Sequence, residues 1–326
     1  MRASRFALAA AFYFATSLAQ AAGIRFIDMP ADSRGPSLRG VVWSPCGVPA
    51  REVTLGRLIV PGVEDCPIVG DKLPFVVISH GRRGAFGGHH DTAKALADAG
   101  FVVAAINHPG DNGSDMSRTD DLSVLLERPT DVKRLIDFML GAWPEAGTID
   151  RERIGFFGFS RGAYTGLVLV GGHPDFRQGI AICEGSKRQR CEQIREEQIR
   201  GRTLTHDRRI KAAVLADPIF AFFFASEDLR DVTVPVLLWG SALGGDGVKP
   251  EDVAAVDRQL PSKPDYRVVP NAGHFAFLAP CSAEQAKARP ELCSDPSGFD
   301  RVAFHKELDA DVLAFFCKHL TEPGKP

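Results

Sequence analysis

The pentapeptide Gly158-Phe159-Ser160-Arg161-Gly162 constrains this chain more than any other stretch. It sits between an apolar run, residues 154–157, and a run of small and helix-compatible residues that begins at Ala163. A strand that turns at once into a helix forces its corner residue into a strained backbone conformation. The positions two before and two after must then be glycine, because strand and helix nearly collide there. Ser160 at such a corner stands at the carboxyl end of the strand and faces the positive end of the helix dipole. A serine hydroxyl is a weak nucleophile in water and needs both this placement and a base.

The rest of the chain repeats the strand-then-helix rhythm. Apolar runs rich in Val, Ile and Phe occur at residues 39–44, 75–79, 102–107, 154–157, 212–216, 234–239 and 266–269. They are mostly continuous rather than alternating, as expected of strands covered on both faces. Helical patterns fall at 92–99, 130–140, 161–170, 250–260 and 304–320, with Thr130 and Asp131 as an N-cap region for the second. This alternation predicts a doubly wound, mostly parallel α/β sheet. Residues 184–209 break the rhythm: they are dense in Arg, Lys, Glu and Gln. Such a run reads as a solvated helical insertion, or as a cap bordering the site.

The N-terminus reads as a signal peptide over residues 1–21: Arg2 and Arg5, a short apolar stretch, then Ala19-Gln20-Ala21 as the cleavage pattern. The remainder, 22–326, is expected to be one domain, and no later segment is apolar enough to span a bilayer. Its removal takes the net charge from −2 to −4, which does not favour a nucleic-acid partner. A secreted or periplasmic location follows, and the seven cysteines suit it. Local pairings of Cys46 with Cys66, Cys183 with Cys191 and Cys281 with Cys293 would leave Cys317 over, although spacing alone does not fix connectivity.

A serine nucleophile needs a histidine base, and in this order of elements an acid precedes the histidine. His274, in Asn271-Ala272-Gly273-His274-Phe275, lies in a loop after a strand and beside a small residue. The acid has two candidates, each after a strand: Asp217, held by Pro218, and Asp246, set among glycines. Rigidity favours Asp217 for an orienting group. The backbone N–H groups of Arg82, after Ser79-His80-Gly81, and of Arg161 are the oxyanion donors expected from the motif. His80 is read as bracing its turn. His89 and His90 are adjacent in sequence and poorly placed to share one ion, so no metal or organic cofactor is expected. Phe159 and Phe275 flank the site, and with the apolar run 219–224 they suggest an apolar substrate pocket.

Together, Ser79-His80-Gly81, the Gly158–Gly162 pentapeptide, Leu215-Ala216-Asp217-Pro218 and Asn271–Phe275 resemble the α/β-hydrolase superfamily over most of the chain from Arg39 onward. Within it the chain looks most like the predicted dienelactone-hydrolase and platelet-activating-factor acetylhydrolase group, with chlorophyllases as cousins. The resemblance implies an α/β-hydrolase sheet, a small or lipid-like ester as substrate, and an acid after the strand that follows the nucleophile's helix, at Asp217. The departures are Ser160 where dienelactone hydrolases have cysteine, Ala163 where many relatives have glycine, and the 184–209 insertion. A thioesterase, amidase or acyltransferase on the same residues, or a silent binding protein on the same scaffold, are the alternatives.

Overall fold

The computed structural model describes residues 21–321 except 57 and 199–202. The expected signal peptide therefore lies outside the described residues apart from Ala21, and so does part of the charged insertion.

The strands are β1 (Ala21–Met29), β2 (Leu38–Cys46), β3 (Arg51–Leu55), β4 (Leu58–Glu64), β5 (Leu73–Ser79), β6 (Val102–Ile106), β7 (Ile149–Phe159), β8 (Ile210–Ala216), β9 (Val236–Ser241) and β10 (Asp265–Val269). They form one ten-stranded sheet in the order β10-β9-β8-β7-β5-β6-β2-β1-β4-β3. From β6 to β10 every pairing is parallel, whereas β2 is antiparallel to both β6 and β1. Parallel neighbours need crossovers, and the helices supply them. These are α1 (His90–Asp98), α2 (Ser123–Leu140), α3 (Arg161–Leu169), α4 (Gln189–Arg195), α5 (Ser226–Leu229), α6 (Pro250–Gln259), α7 (Ala283–Ala288), α8 (Pro290–Cys293) and α9 (Arg301–Leu320).

Side chains alternate across each strand, so the sheet has two cores. Phe75, Val77, Ala104, Phe156 and Leu215 pack on one face under α2, α3 and α6. Val76, Ile78, Val103, Phe157 and Val214 pack on the other under α1 and α9. Both sets are fully buried, which is why these strands read as continuous apolar runs. The fold is the mixed, mostly parallel α/β sheet that the pattern predicts. β1, β3 and β4 escape that pattern: β3 and β4 alternate exposed and buried residues, with Glu52 and Thr54 exposed on β3 and Ile59 and Pro61 exposed on β4.

One boundary is corrected. Thr130 and Asp131 do not cap a helix, because α2 starts at Ser123 and runs through Pro129. Buried Val124, Leu125 and Leu126 anchor the extra turns in the core, and this packing outweighs the proline's lost hydrogen bond. The two expected capping side chains are engaged elsewhere, Thr130 with the Thr205 hydroxyl at 2.7 Å and Asp131 with His108 at 3.0 Å. By contrast, α6 opens on Pro250 at its first position, and Asp300 caps α9 by accepting from the Ala303 amide at 2.9 Å.

All three expected disulfides are present, Cys46–Cys66, Cys183–Cys191 and Cys281–Cys293, and Cys317 is free. They are consistent with an extracellular or periplasmic location. Among the described residues no helix is long and apolar enough to cross a membrane. The Cys46–Cys66 link, 20 residues apart in sequence, ties the end of β2 to the segment after β4. Replacing both cysteines by serine should cost about 3 kcal/mol through the freed unfolded chain, read as a lower denaturation midpoint. An unchanged midpoint would contradict this.

Candidate active site

Ser160 occupies the corner between β7 and α3 with φ 55° and ψ −113°, a conformation that side-chain-bearing residues rarely adopt. Two backbone bonds hold it there: its amide donates to the Ala216 carbonyl at 2.8 Å, and its carbonyl accepts from Tyr164 at 3.1 Å. The flanking glycines are sterically required. A Cβ on Gly158 would lie 2.3 Å from the Gly162 carbonyl oxygen, and one on Gly162 only 1.9 Å from that of Ser79.

Two loops, at the carboxyl ends of β8 and β10, complete the site around Ser160. His274 opens a 3₁₀ turn after β10, and its amide donates to the Gly244 carbonyl at 2.8 Å. Its Nε2 lies 2.9 Å from Ser160 Oγ, and its Nδ1 lies 2.6 Å from Asp217 Oδ2. Asp217 directly follows β8, again at positive φ (50°), and its amide donates to the Trp239 carbonyl at 2.8 Å. With Nδ1–H donating to that carboxylate, Nε2 is left to accept from the serine hydroxyl. Ser160 and Asp217 have no exposed surface and His274 has 2%. Asp246 makes no contact with His274; its carboxylate pairs with Arg82 at 3.9 Å.

Sequence reasoning missed Ser241. Its amide (2.8 Å) and hydroxyl (2.7 Å) both donate to the Asp217 carboxylate, fixing the plane in which it meets His274. A serine closing a strand carries no sequence signal of that role. His305 was also missed. Its ring bonds Asp91 Oδ2 at 2.6 Å and the Ala276 carbonyl at 2.9 Å, tying α9 and α1 to the His274 turn.

Phe159 lies beneath the site. Its ring stacks on His274 with centroids 4.7 Å apart, and a Cβ on Gly81 would come within 3.0 Å of it. That same Cβ would lie 3.2 Å from Ser160 Cβ, so the His80-Gly81-Arg82 turn passes directly against the serine. Arg161 is the first residue of α3, and its N–H has no acceptor within the helix. His80 braces the turn: Nδ1 bonds the Gly81 carbonyl at 2.6 Å, and Nε2 accepts from the His108 amide at 3.3 Å. Burial, reinforced by Arg128, pushes His80 down to about 3, which suits this neutral role. His89 is buried against Phe157 and Phe159, while His90 bonds the Gly87 carbonyl at 3.1 Å.

A buried polar network ties the turn to α3. Asp111 accepts from Arg128 at 2.6 Å, Arg161 at 2.7 Å and Thr119 at 2.5 Å. Burial opposes its ionisation, but the two guanidiniums outweigh this and hold its carboxyl at about 2. Arg128 also donates to the His80 carbonyl and, at 3.2 Å, to Ser79 Oγ. Ser79 belongs to a second Ser–His–Asp chain, with His108 Nε2 at 3.0 Å and Asp131 beyond it at 3.0 Å. That chain is electrostatically poor for catalysis. Burial, with Arg128 beside it, pushes His108 well below its ordinary value, and burial pushes the Asp131 carboxyl up to about 7.

A cavity of about 610 Å³ is lined by Arg82, by Arg161, the residue after Ser160, and by Ile219, whose amide lies 3.4 Å from the Ser160 carbonyl oxygen; Ser160 and His274 are not among its lining residues. Its apolar wall is Phe220, Phe222 and Phe223; its far wall comes from the Cys183–Cys191 loop and α4. Phe159 is not among its lining residues, and Phe275 instead borders a smaller cavity of about 270 Å³ with His274. Of the residues read as apolar pocket candidates, Ile219, Phe220, Phe222 and Phe223 line this cavity.

No family model matches the sequence, and no curated protein matches it. Among solved structures the chain is similar to the ferulic acid esterase from Streptomyces cinnamoneus, at 20% identity and a TM-score of 0.63, over 96% of this chain and 94% of that one. It is also similar to a putative dipeptidyl aminopeptidase IV from Bacteroides ovatus, at 13% identity and a TM-score of 0.55; there it covers 92% of itself but only 36% of the other chain. At these identities the likeness is one of fold: the chain has the α/β-hydrolase fold.

Asp131 makes stability depend on pH in a definite direction. Folded, it holds its proton up to about 7; unfolded, an aspartate releases it near pH ~4. The folded state therefore binds more protons across that window, and this residue removes stability as pH rises through it. The denaturation midpoint of Asp131→Asn minus that of the native chain should grow more positive from pH 4 to pH 7. A flat or falling difference would contradict the assignment.

Proposed function

We propose that this protein is a serine hydrolase of carboxylic esters. Ser160 Oγ attacks the acyl carbonyl while His274 Nε2 takes its proton, and Asp217 holds the imidazole and stabilises the imidazolium. The N–H groups of Arg82 and Arg161 receive the oxyanion. The alcohol leaves with the proton from His274, and water repeats the sequence on the acyl-enzyme. The carrying observation is the continuous chain from Ser160 Oγ through His274 to Asp217, at 2.9 and 2.6 Å, starting from a strained corner. The fold likeness to a ferulic acid esterase makes an ester the first substrate class to test, and the likeness to a putative dipeptidyl aminopeptidase makes an amide the second. The finer kinship with the dienelactone-hydrolase and acetylhydrolase group rests on the sequence motifs and belongs to this proposal.

Ser160 is fully buried, so its hydroxyl meets a substrate only after the adjoining wall moves. The Cys183–Cys191 loop and α4 line the cavity, which supports reading the charged insertion as a cap on a single hydrolase domain. Export through the N-terminal segment is part of the same reading, and the disulfides support it.

Purified protein should hydrolyse p-nitrophenyl acetate. Ser160→Ala should lower kcat/KM by more than about 10³-fold, and Asp217→Asn should lower kcat by about 10⁴-fold with circular dichroism unchanged. Retained activity in Ser160→Ala would overturn the proposal. Faster Ser160-dependent turnover of matched thioesters or amides would move it to those substrates.

A further inference from the structure

The cavity that Arg82 and Arg161 border combines aromatic and cationic lining. Arg82, Arg161, Arg188 and Arg190 line it, against two acids, Asp120 and Asp246. The ion pairs among these are long. Arg190 reaches Asp120 at 3.5 Å, and Arg82 reaches Asp120 at 3.7 Å and Asp246 at 3.9 Å. A charge-assisted hydrogen bond is normally about 2.7–2.9 Å, so these arginines hold only loose partners.

Other donors have no partner at all. Arg161 spends Nη1 on Asp111 and on the Thr119 carbonyl at 3.0 Å, but its Nε and Nη2 are buried with no acceptor among the described residues. Arg82 Nε is in the same condition. These atoms have no accessible surface, so they add uncompensated positive charge behind the cavity lining rather than contacts inside it, and the reachable cations are Arg190 and Arg82. Arg190 adds a second feature: its guanidinium lies over the Phe220 ring, 4.9 Å from the centroid. Burial and the repulsion of Arg161 push it down to about 10, so an anion entering here would meet a cation in need of a partner.

We infer that this cavity binds an ester bearing a carboxylate, with its hydrocarbon or aryl body against Phe220, Phe222 and Phe223 and its carboxylate on the guanidiniums of Arg190 and Arg82, the buried charge of Arg161 lying behind them. The inference rests on the proposed hydrolase and deepens it by naming the substrate class. Arg190 is then the specificity-determining residue. It sits on α4, inside the charged insertion, so a segment whose described residues are mostly exposed also supplies substrate recognition.

The test uses matched pairs of esters: monoethyl succinate against ethyl butyrate for a carboxylate on the acyl side, and 4-acetoxybenzoate against 4-tolyl acetate for one on the alcohol side. One anionic member should exceed its neutral partner in kcat/KM by about tenfold or more, mostly through KM, with the ratio falling as salt rises. Arg190→Ala and Arg190→Gln should each bring that ratio close to one, with folding checked by circular dichroism. Neutral esters preferred in both pairs, with hydrolysis still dependent on Ser160, would overturn the carboxylate site and leave the hydrolase intact. Binding is read separately by calorimetry of Ser160→Ala protein with each anionic ester. Millimolar or tighter binding that Arg190→Ala abolishes supports the site even if no ester is turned over. No heat up to 10 mM (about 2.7 kcal/mol of binding free energy) overturns it.

Discussion

The end of β5 and the first turn of α3 run so close that no side chain fits between them. A single Cβ on Gly162 would overlap the Ser79 carbonyl at 1.9 Å. This contact fixes the relation between the turn that follows β5 and the helix that follows β7. Ser160 takes its positive φ because α3 must start at once, and the His80-Gly81-Arg82 turn lies against it because β5 is its neighbour in the sheet. In the proposed reaction, nucleophile and oxyanion donors are therefore placed by one backbone approach. The strain at Ser160, of order 1–3 kcal/mol, is sustained by the burial on both faces of the sheet.

The polar groups around this approach are held as firmly as the apolar core. Asp111 joins Arg128 to Arg161, and Arg128 reaches the His80 carbonyl, so the turn and the helix share one buried carboxylate. Two Ser–His–Asp chains result, side by side, with different electrostatics. In the Ser79 chain the histidine is kept neutral by burial and by Arg128, and the acid retains its proton near neutral pH. It reads as a brace. In the Ser160 chain the acid accepts two further hydrogen bonds, from the amide and hydroxyl of Ser241. Similar triplets of residues thus take different parts according to the charges that surround them.

The parallel core was legible because burial on both faces leaves continuous Val, Ile and Phe runs. β3 and β4, half-exposed and short, leave no such mark, and the start of α2 was hidden because Pro129 reads as a helix boundary when packing in fact carries the helix through it. For the candidate site, Ser160, His274 and Asp217 could be picked out because each follows a strand and has small or rigid neighbours. Ser241, Asp111, Arg128 and Asp131 could not, because isolated polar residues look like loop or solvent-facing positions until the fold brings them together. Arg190 was concealed in a run of mixed charge. Only tertiary structure turns Arg188 and Arg190 of that run toward a cavity.

The central claim is that Ser160, and not its neighbour Ser79, is the activated hydroxyl. Labelling the folded protein with a fluorophosphonate and locating the adduct by peptide mass spectrometry tests this directly. The account predicts one stoichiometric adduct on Ser160 and none on Ser79. An adduct on Ser79, or an unlabelled Ser160 in fully folded protein, would contradict it.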